Sequence, residues 1–209
     1  MLKTHNLQLP IDEISLRDLS VGDLVYLSGE IVVSAGLPTY QRLTEFVNDK
    51  KPLPLDFAGG TLFHVGSMTR EDSGSYEMLY LNPTTSTRFN QYMPTLIRGL
   101  GLRLTGGKGG LDMESVHAMK ETGCIYLSFL GGGCALLSQA IREVTGVYWK
   151  DLITHYRLVK VRVENLGPLT VGIDVHGNSV YEGLTQNALS KLPEILTTLK
   201  DERQAGSHE

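Results

Sequence analysis

Leu102-Arg103-Leu104-Thr105-Gly106-Gly107-Lys108-Gly109-Gly110, followed by Met113–Thr122, Gly123 and Ile125–Phe129, is the stretch on which the fold turns. Its spacing predicts a strand over Leu102–Thr105, a glycine loop, a helix over Met113–Thr122 and a buried strand over Ile125–Phe129. Gly123 stands where a helix stop belongs. A strand, a crossover helix and a second strand form a parallel unit, which places the chain in the α/β class.

Working outward, Gly131-Gly132-Gly133 leads into an apolar stretch, Cys134–Val144, read as a further helix. Asp23–Leu27 and Ile31–Ser34 read as two strands around a Ser28-Gly29-Glu30 turn. Thr39–Asn48 has a helical stripe of Leu43, Phe46 and Val47. Thr61–Val65 and Glu77–Leu81 read as strands about a polar turn at Glu71–Ser75. Pro83 suits a first helical turn, so a helix is expected from there to about Gly99, broken or kinked at Pro94. Leu158–Val163 and Leu169–Val175 read as strands, and His176-Gly177-Asn178 as a turn. Leu184–Lys200 reads as a closing helical region interrupted at Pro193. The expected organisation is one domain over residues 1–209, with an N-terminal extension over 1–18 and a frayed polar tail over 201–209.

Composition narrows the function. A net charge of −4 and the lack of a basic run argue against nucleic-acid binding. No apolar stretch approaches the roughly 20 residues of a membrane span, and Met1–Pro10 lacks the apolar core of a secretion signal, so a cytoplasmic location is expected. Cys124 and Cys134 cannot by themselves ligate an iron–sulfur cluster, and they read as buried, inert thiols. No His/Cys/Asp cluster has metal-ligand spacing, so no metal ligands are assigned to this chain.

Two segments carry candidate chemistry. Asn82-Pro83-Thr84-Thr85-Ser86-Thr87-Arg88 would open a helix, with Thr84 and Arg88 on one face. A helix start attracts anions, and Arg88 offers a planar fork to a carboxylate. Gly106-Gly107-Lys108-Gly109-Gly110 sets one cation among glycines that let backbone amides approach a ligand. The spacing is not that of a nucleotide-binding phosphate loop. The same residues also read as a plain cap beside an exposed arginine, and as a mobile surface loop. His64 reads as a core histidine, and Asp174 with His176 as a corner pair.

Pro83-Thr84-Thr85-Ser86-Thr87-Arg88, Gly107-Lys108-Gly109-Gly110 and Gly167-Pro168-Leu169, with Ile173-Asp174-Val175-His176-Gly177-Asn178, run in an order that resembles a known family. It is that of the β-subunit, or C-terminal domain, of class I fumarate hydratases and L-tartrate dehydratases. The likeness is colinear from about Leu19 to Tyr181 and takes in Leu24–Gly29, Phe63-His64-Val65-Gly66 and Gly133-Cys134-Ala135. Around Val147-Tyr148-Trp149 and Gly167-Pro168-Leu169 it leans toward tartrate dehydratase.

The resemblance implies a three-layer β/β/α swivelling domain with a partly parallel central sheet. It implies a hydro-lyase subunit, active only with an α-subunit that carries a four-iron–four-sulfur cluster, and a small carboxylate substrate. A hetero-oligomer or a homodimer is expected. By motif match, Thr84 stands at the position of the base acting on the substrate carbon, with Lys108 as the other catalytic residue. Arg88, Thr85, Ser86, Gly107 and Gly109 become substrate-binding, with Arg88 and Lys108 at positions that hold carboxylates.

The departures are local. Ala35, Gly36 and Thr39 replace an Arg-Asp pair and a following His, and alignment near Tyr40 needs a one-residue insertion. Asn82 replaces a Gly, and Ile153-Thr154-His155-Tyr156 replaces Gly-Met-Pro-Glu. Without the arginine at position 35, a substrate other than fumarate, malate or L-tartrate is expected. The alternative is a catalytically diverged domain that binds a small anion or a partner.

Overall fold

Strand β5 (Leu104–Gly107), helix α3 (Met113–Thr122) and strand β6 (Ile125–Ser128) form the expected unit in the computed structural model, which describes residues 2–205. β5 and β6 pair in parallel. Asp112 caps α3 by accepting a bond from the Ser115 amide, and Gly123 ends it in the left-handed region at φ 69°. β5 starts two residues later than expected and runs into the glycines. Gly106 takes a central ladder place that no side chain fits, because a Cβ there would lie 2.2 Å from the Leu127 carbonyl oxygen.

Around this unit stand β1 (Thr4–Gln8), β2 (Leu24–Ser34), β3 (Thr61–Asp72), β4 (Ser75–Pro83), β7 (Ile141–Tyr148) and β8 (Leu158–Ile173). β1, β2, β3, β5 and β6 lie side by side in parallel. β8 runs antiparallel to both β6 and β2, so β2-β3-β5-β6-β8 closes on itself. β4 folds back on β3, and β7 on β8. This is a mixed α/β fold with a partly parallel central sheet, as expected.

Alternation along the strands makes two cores. Ile31, Val33, Phe63, Leu104, Ile125, Leu127, Val159 and Val161 point to one side and meet Met78 and Leu81 of β4. Val32, Leu62, Tyr126 and Leu158 point to the other and meet α1 (Leu37–Asn48), α2 (Met93–Leu100) and α3.

Several expectations are corrected. Thr4–Gln8 is an edge strand of the sheet rather than part of an extension. The Ser28–Glu30 turn is a bulge inside one continuous strand, where Gly29 sits at φ 118° and a Cβ would meet the Leu9 carbonyl oxygen at 2.8 Å. Leu158–Val163 and Leu169–Val175 are one strand as far as Ile173, with Gly167-Pro168 opposite a register shift in β2.

The helix expected over Cys134–Val144 survives only as the short α4 (Cys134–Ser138). Ile141, Val144 and Val147 mimic a helical spacing, but two register shifts in β7 set them against Val163, Val161 and Val159. No helix begins at Pro83, which closes β4, and Pro94 opens α2 rather than breaking a longer helix.

The closing helix, α5 (Val180–Ala205), runs through Pro193. Asp201–Ala205 belong to it rather than to a frayed tail, and residues 206–209 lie outside the described residues. No helix among the described residues is long and apolar enough to cross a membrane.

Candidate active site

The end of β4 and the end of β5 are tied together by backbone. The Thr84 amide donates to the His64 carbonyl at 2.8 Å, the Lys108 amide to the Thr84 carbonyl at 3.0 Å, and the Ser86 amide to the Lys108 carbonyl at 2.8 Å. Thr85 and Lys108 thereby form an isolated parallel bridge. Thr84 and Lys108 are neighbours because two β-ends cross, and no helix starts at Pro83 to set Thr84 and Arg88 on one face. A 3-10 turn over Ser86–Phe89 then carries Arg88, whose Nη2 donates to Thr84 Oγ1.

Gly107 allows this crossing. A Cβ on it would lie 2.4 Å from Ser86 Oγ, 2.9 Å from His64 Cβ and 3.0 Å from the Thr84 carbonyl oxygen. Gly109 needs its positive φ of 83° to turn the chain away. Lys108 then stands exposed, with its aliphatic stem near Gly131.

Behind this corner lies a buried polar chain. His64 and Ser86 have no solvent exposure. The thioether Sδ of Met93, 3.2 Å from His64 Nε2, carries no proton, so Nε2 holds the imidazole hydrogen and donates it. Nδ1 therefore accepts from the Ser86 hydroxyl at 2.8 Å. Ser86 Oγ accepts from the Tyr126 hydroxyl at 2.8 Å, and the Tyr126 oxygen accepts from the Gly110 amide at 3.3 Å. The His64 ring stacks on Phe89 at 4.7 Å. Burial without a carboxylate partner pushes the imidazole down to about 3 and the Tyr126 phenol upward. Ser86, expected to touch substrate, spends its hydroxyl inside this chain.

In front of the corner opens a cleft of about 470 Å³, lined by Ala35, Leu37, Gly66, Tyr80, Asn82, Pro83, Thr84, Arg88, Lys108, His155 and Tyr156. No carboxylate lines it, and neither Arg88 nor Lys108 has an ion-pair partner among the described residues. Thr84, Arg88 and Lys108 are thus together in the cleft. Thr85 and Gly109 lie beside it, and Ser86 and Gly107 support it from behind.

Tyr80, His155 and Tyr156 were not singled out from sequence as site residues. Tyr80 had a signal, since it shares the face of β4 with Asn82 two residues on. His155 and Tyr156 come from distant chain, and only the altered Ile153–Tyr156 segment hinted at them. Their place is fixed by backbone: the Ala35 amide donates to the His155 carbonyl at 3.3 Å, and the Ser34 hydroxyl to the Tyr156 carbonyl at 3.1 Å. Gly36 is the reason they fit, because a Cβ there would lie 2.5 Å from Tyr156 Cβ.

The cysteines do not fit a cluster site. Cys124 is fully buried, and burial pushes its thiol up to about 12. Cys134, expected to be buried, is only half-buried where it opens α4, and among the described residues no His/Cys/Asp/Glu group is placed to hold a metal ion.

The model of the family described as Fumarase C-terminus matches residues 2–184. The L(+)-tartrate dehydratase β-subunit of Escherichia coli K12 is 33% identical over 174 residues, covering 83% of this chain and 85% of that one. A Methanocaldococcus jannaschii protein provisionally named as the same subunit is 31% identical, covering 87% of this chain and 93% of its own. A Geobacillus stearothermophilus protein provisionally named a class I fumarate hydratase is 31% identical over 90% of this chain, which spans 36% of its length. With its motif residues gathered at one cleft and this match over most of its length, the chain belongs to the Fumarase C-terminus family.

Proposed function

We propose that this chain is the β-subunit of a hydro-lyase that adds water to, or removes it from, a small carboxylate. The observation that carries the reading is the gathering of one hydroxyl and two cations, Thr84, Arg88 and Lys108, in a cleft free of carboxylates. The relatives named as tartrate dehydratase β-subunits and as a fumarate hydratase support the reaction class. The four-iron–four-sulfur cluster is assigned to a partner α-subunit, since the thiols here do not suit it.

The chain's own residues divide the work. Thr84 holds or takes the proton at its Oγ1. An alkyl hydroxyl is a weak base, and its proton-poor form needs a neighbouring cation. Arg88 supplies one directly at Thr84 Oγ1. Lys108 adds positive charge and faces a substrate carboxylate with the remaining Arg88 N–H groups. The His64–Ser86–Tyr126 chain fixes the backbone that presents Thr84.

This reading predicts a division of labour. Purified alone and treated anaerobically with iron and sulfide, the chain is expected to stay colourless and inactive. Mixed with its α-subunit it should turn substrate over. A brown protein with stoichiometric iron from this chain alone overturns the assignment of the cluster, and a complex inactive on every hydroxy acid favours the anion-binding alternative.

Arg88→Lys keeps the charge but loses the fork. Arg88 is exposed, so the fold should survive. In the assembled enzyme a fall in kcat/KM on the order of 10²-fold is expected, from ~2–3 kcal/mol of charge-assisted bonding. An unchanged kcat/KM assigns Arg88 to the surface only.

Substrate choice is part of the same proposal. Ala35 lines the cleft and brings no charge. Two arginines that could have replaced the missing one are engaged elsewhere: Arg42 with Asp151 at 2.7 Å and over the Trp149 ring, and Arg70 with Glu77. The complex is expected to prefer a substrate with one carboxylate, or with an amide at its second end, over fumarate, malate or L-tartrate. Ala35→Arg should shift that preference toward dicarboxylates. Hydration of fumarate by the unmodified complex at ~10⁵ M⁻¹s⁻¹ or more contradicts the altered pocket.

A further inference from the structure

Helix α5 leaves the body of the molecule at Gly183, where an added Cβ would meet nothing within 4 Å. Its anchor is Tyr181, whose ring packs against Gly110, Gly172 and Tyr126. From Gly183 to Arg203 every residue is exposed. The helix is nonetheless not polar all round. Leu184 is 62% exposed, Leu189 55%, Leu192 44%, Ile195 50%, Leu196 56% and Leu199 44%.

Leu189, Leu192, Leu196 and Leu199 follow the 3-4-3 spacing of a coiled-coil seam, with Ile195 beside it. Lys191 and Glu194 project away from the seam and Lys200 flanks its far end, so the seam itself is uncharged from Leu189 to Leu199. The family match ends at residue 184, so this stripe lies outside it.

We propose that α5 is a dimerisation helix and that its leucine seam is covered by α5 of a second copy of this chain. A helix in water draws most of its stability from packing an apolar face, and this stretch packs on nothing in its own chain. A seam with the coiled-coil period meets its best complement in a seam of the same period, and every copy carries one. Leu189, Leu192, Leu196 and Leu199, with Ile195 at their edge, on each of two helices would remove up to about 1,000 Å² from water, the size of a small specific interface. Monomeric proteins rarely leave so continuous an apolar stripe exposed.

The test is the mass of the full chain in solution by sedimentation equilibrium from about 1 to 100 µM. A dimer of the 23.0 kDa chain is expected. Leu192→Asp with Leu196→Asp should weaken it by ~10²-fold or more, and Leu189→Glu with Leu199→Glu should do the same. The near-ultraviolet signal of Trp149 and the buried tyrosines reports on the body, which these exposed positions do not touch, and should stay as in the unmodified chain. A chain that remains monomeric to 100 µM overturns the proposal. So does a dimer that persists in both double variants, or seam variants that stay dimeric but lose only the α-subunit.

Discussion

Replacing Thr84 by alanine is expected to lower kcat of the assembled enzyme on the order of 10³-fold, within the range of a lost proton-transfer group. Thr84→Ser should keep most of the activity, because the hydroxyl that receives the Arg88 hydrogen bond remains. The loss should fall on kcat more than on KM, since Arg88 and Lys108 still bind the carboxylate. Stability should change little, because the bonds holding this corner come from the Thr84 amide and carbonyl, not from its side chain. The comparison of Ala with Ser separates a chemical role from a packing one: both variants lose volume at the methyl, and only one loses the oxygen. A kcat for Thr84→Ala within about threefold of the unmodified enzyme would sink the assignment and leave the proton to another group lining the cleft, such as His155.

The site was more legible in the sequence than the elements that build it. Thr84, Arg88 and Lys108 were singled out by residue type: hydroxyls beside a guanidinium, and a lone lysine among glycines. The helix expected to put Thr84 and Arg88 on one face is instead a strand end followed by a 3-10 turn. Pro83 is compatible with a first helical turn and equally with the end of an edge strand, and local pattern does not separate the two. β4 wins because Leu81 and Val65 belong to a core that residues near Pro83 cannot signal. β7 was hidden by the same kind of ambiguity, since its bulges convert a period of two into an apparent helical period. The parallel β5–α3–β6 unit was read correctly because cap, period and stop agreed there. His155 and Tyr156 were out of reach, because the loop that carries them reaches the cleft by tertiary packing on Ala35 and Gly36.

His64 makes the second large prediction, a loss of stability in mild acid. Its imidazole is fully buried, and burial holds it neutral down to about 3, against an ordinary value of 6.5. The folded value lies below the unfolded one, so the unfolded chain binds the proton first. The stabilising contribution is therefore complete above about pH 6.5 and declines as pH falls toward 3. The expected slope is ~1.4 kcal/mol per pH unit, reaching about 5 kcal/mol at the bottom of the window. The cause is geometric as well as dielectric. A charged ring must donate from both nitrogens, so Nδ1 would cease to accept from Ser86, whose hydroxyl hydrogen would have to turn away from the ring in a site closed to water. Urea midpoints between pH 6.5 and 4.5 isolate the effect, because most carboxylates are still ionised there. His64→Gln, which keeps a polar side chain but does not titrate, should be less stable at pH 7 and flatter with pH. Parallel pH slopes for the two proteins would show that His64 is not the acid-sensitive group. The same protonation should disturb the loop at Thr84, whose amide bonds to the His64 carbonyl, so activity of the complex should fall no later than its stability as pH drops.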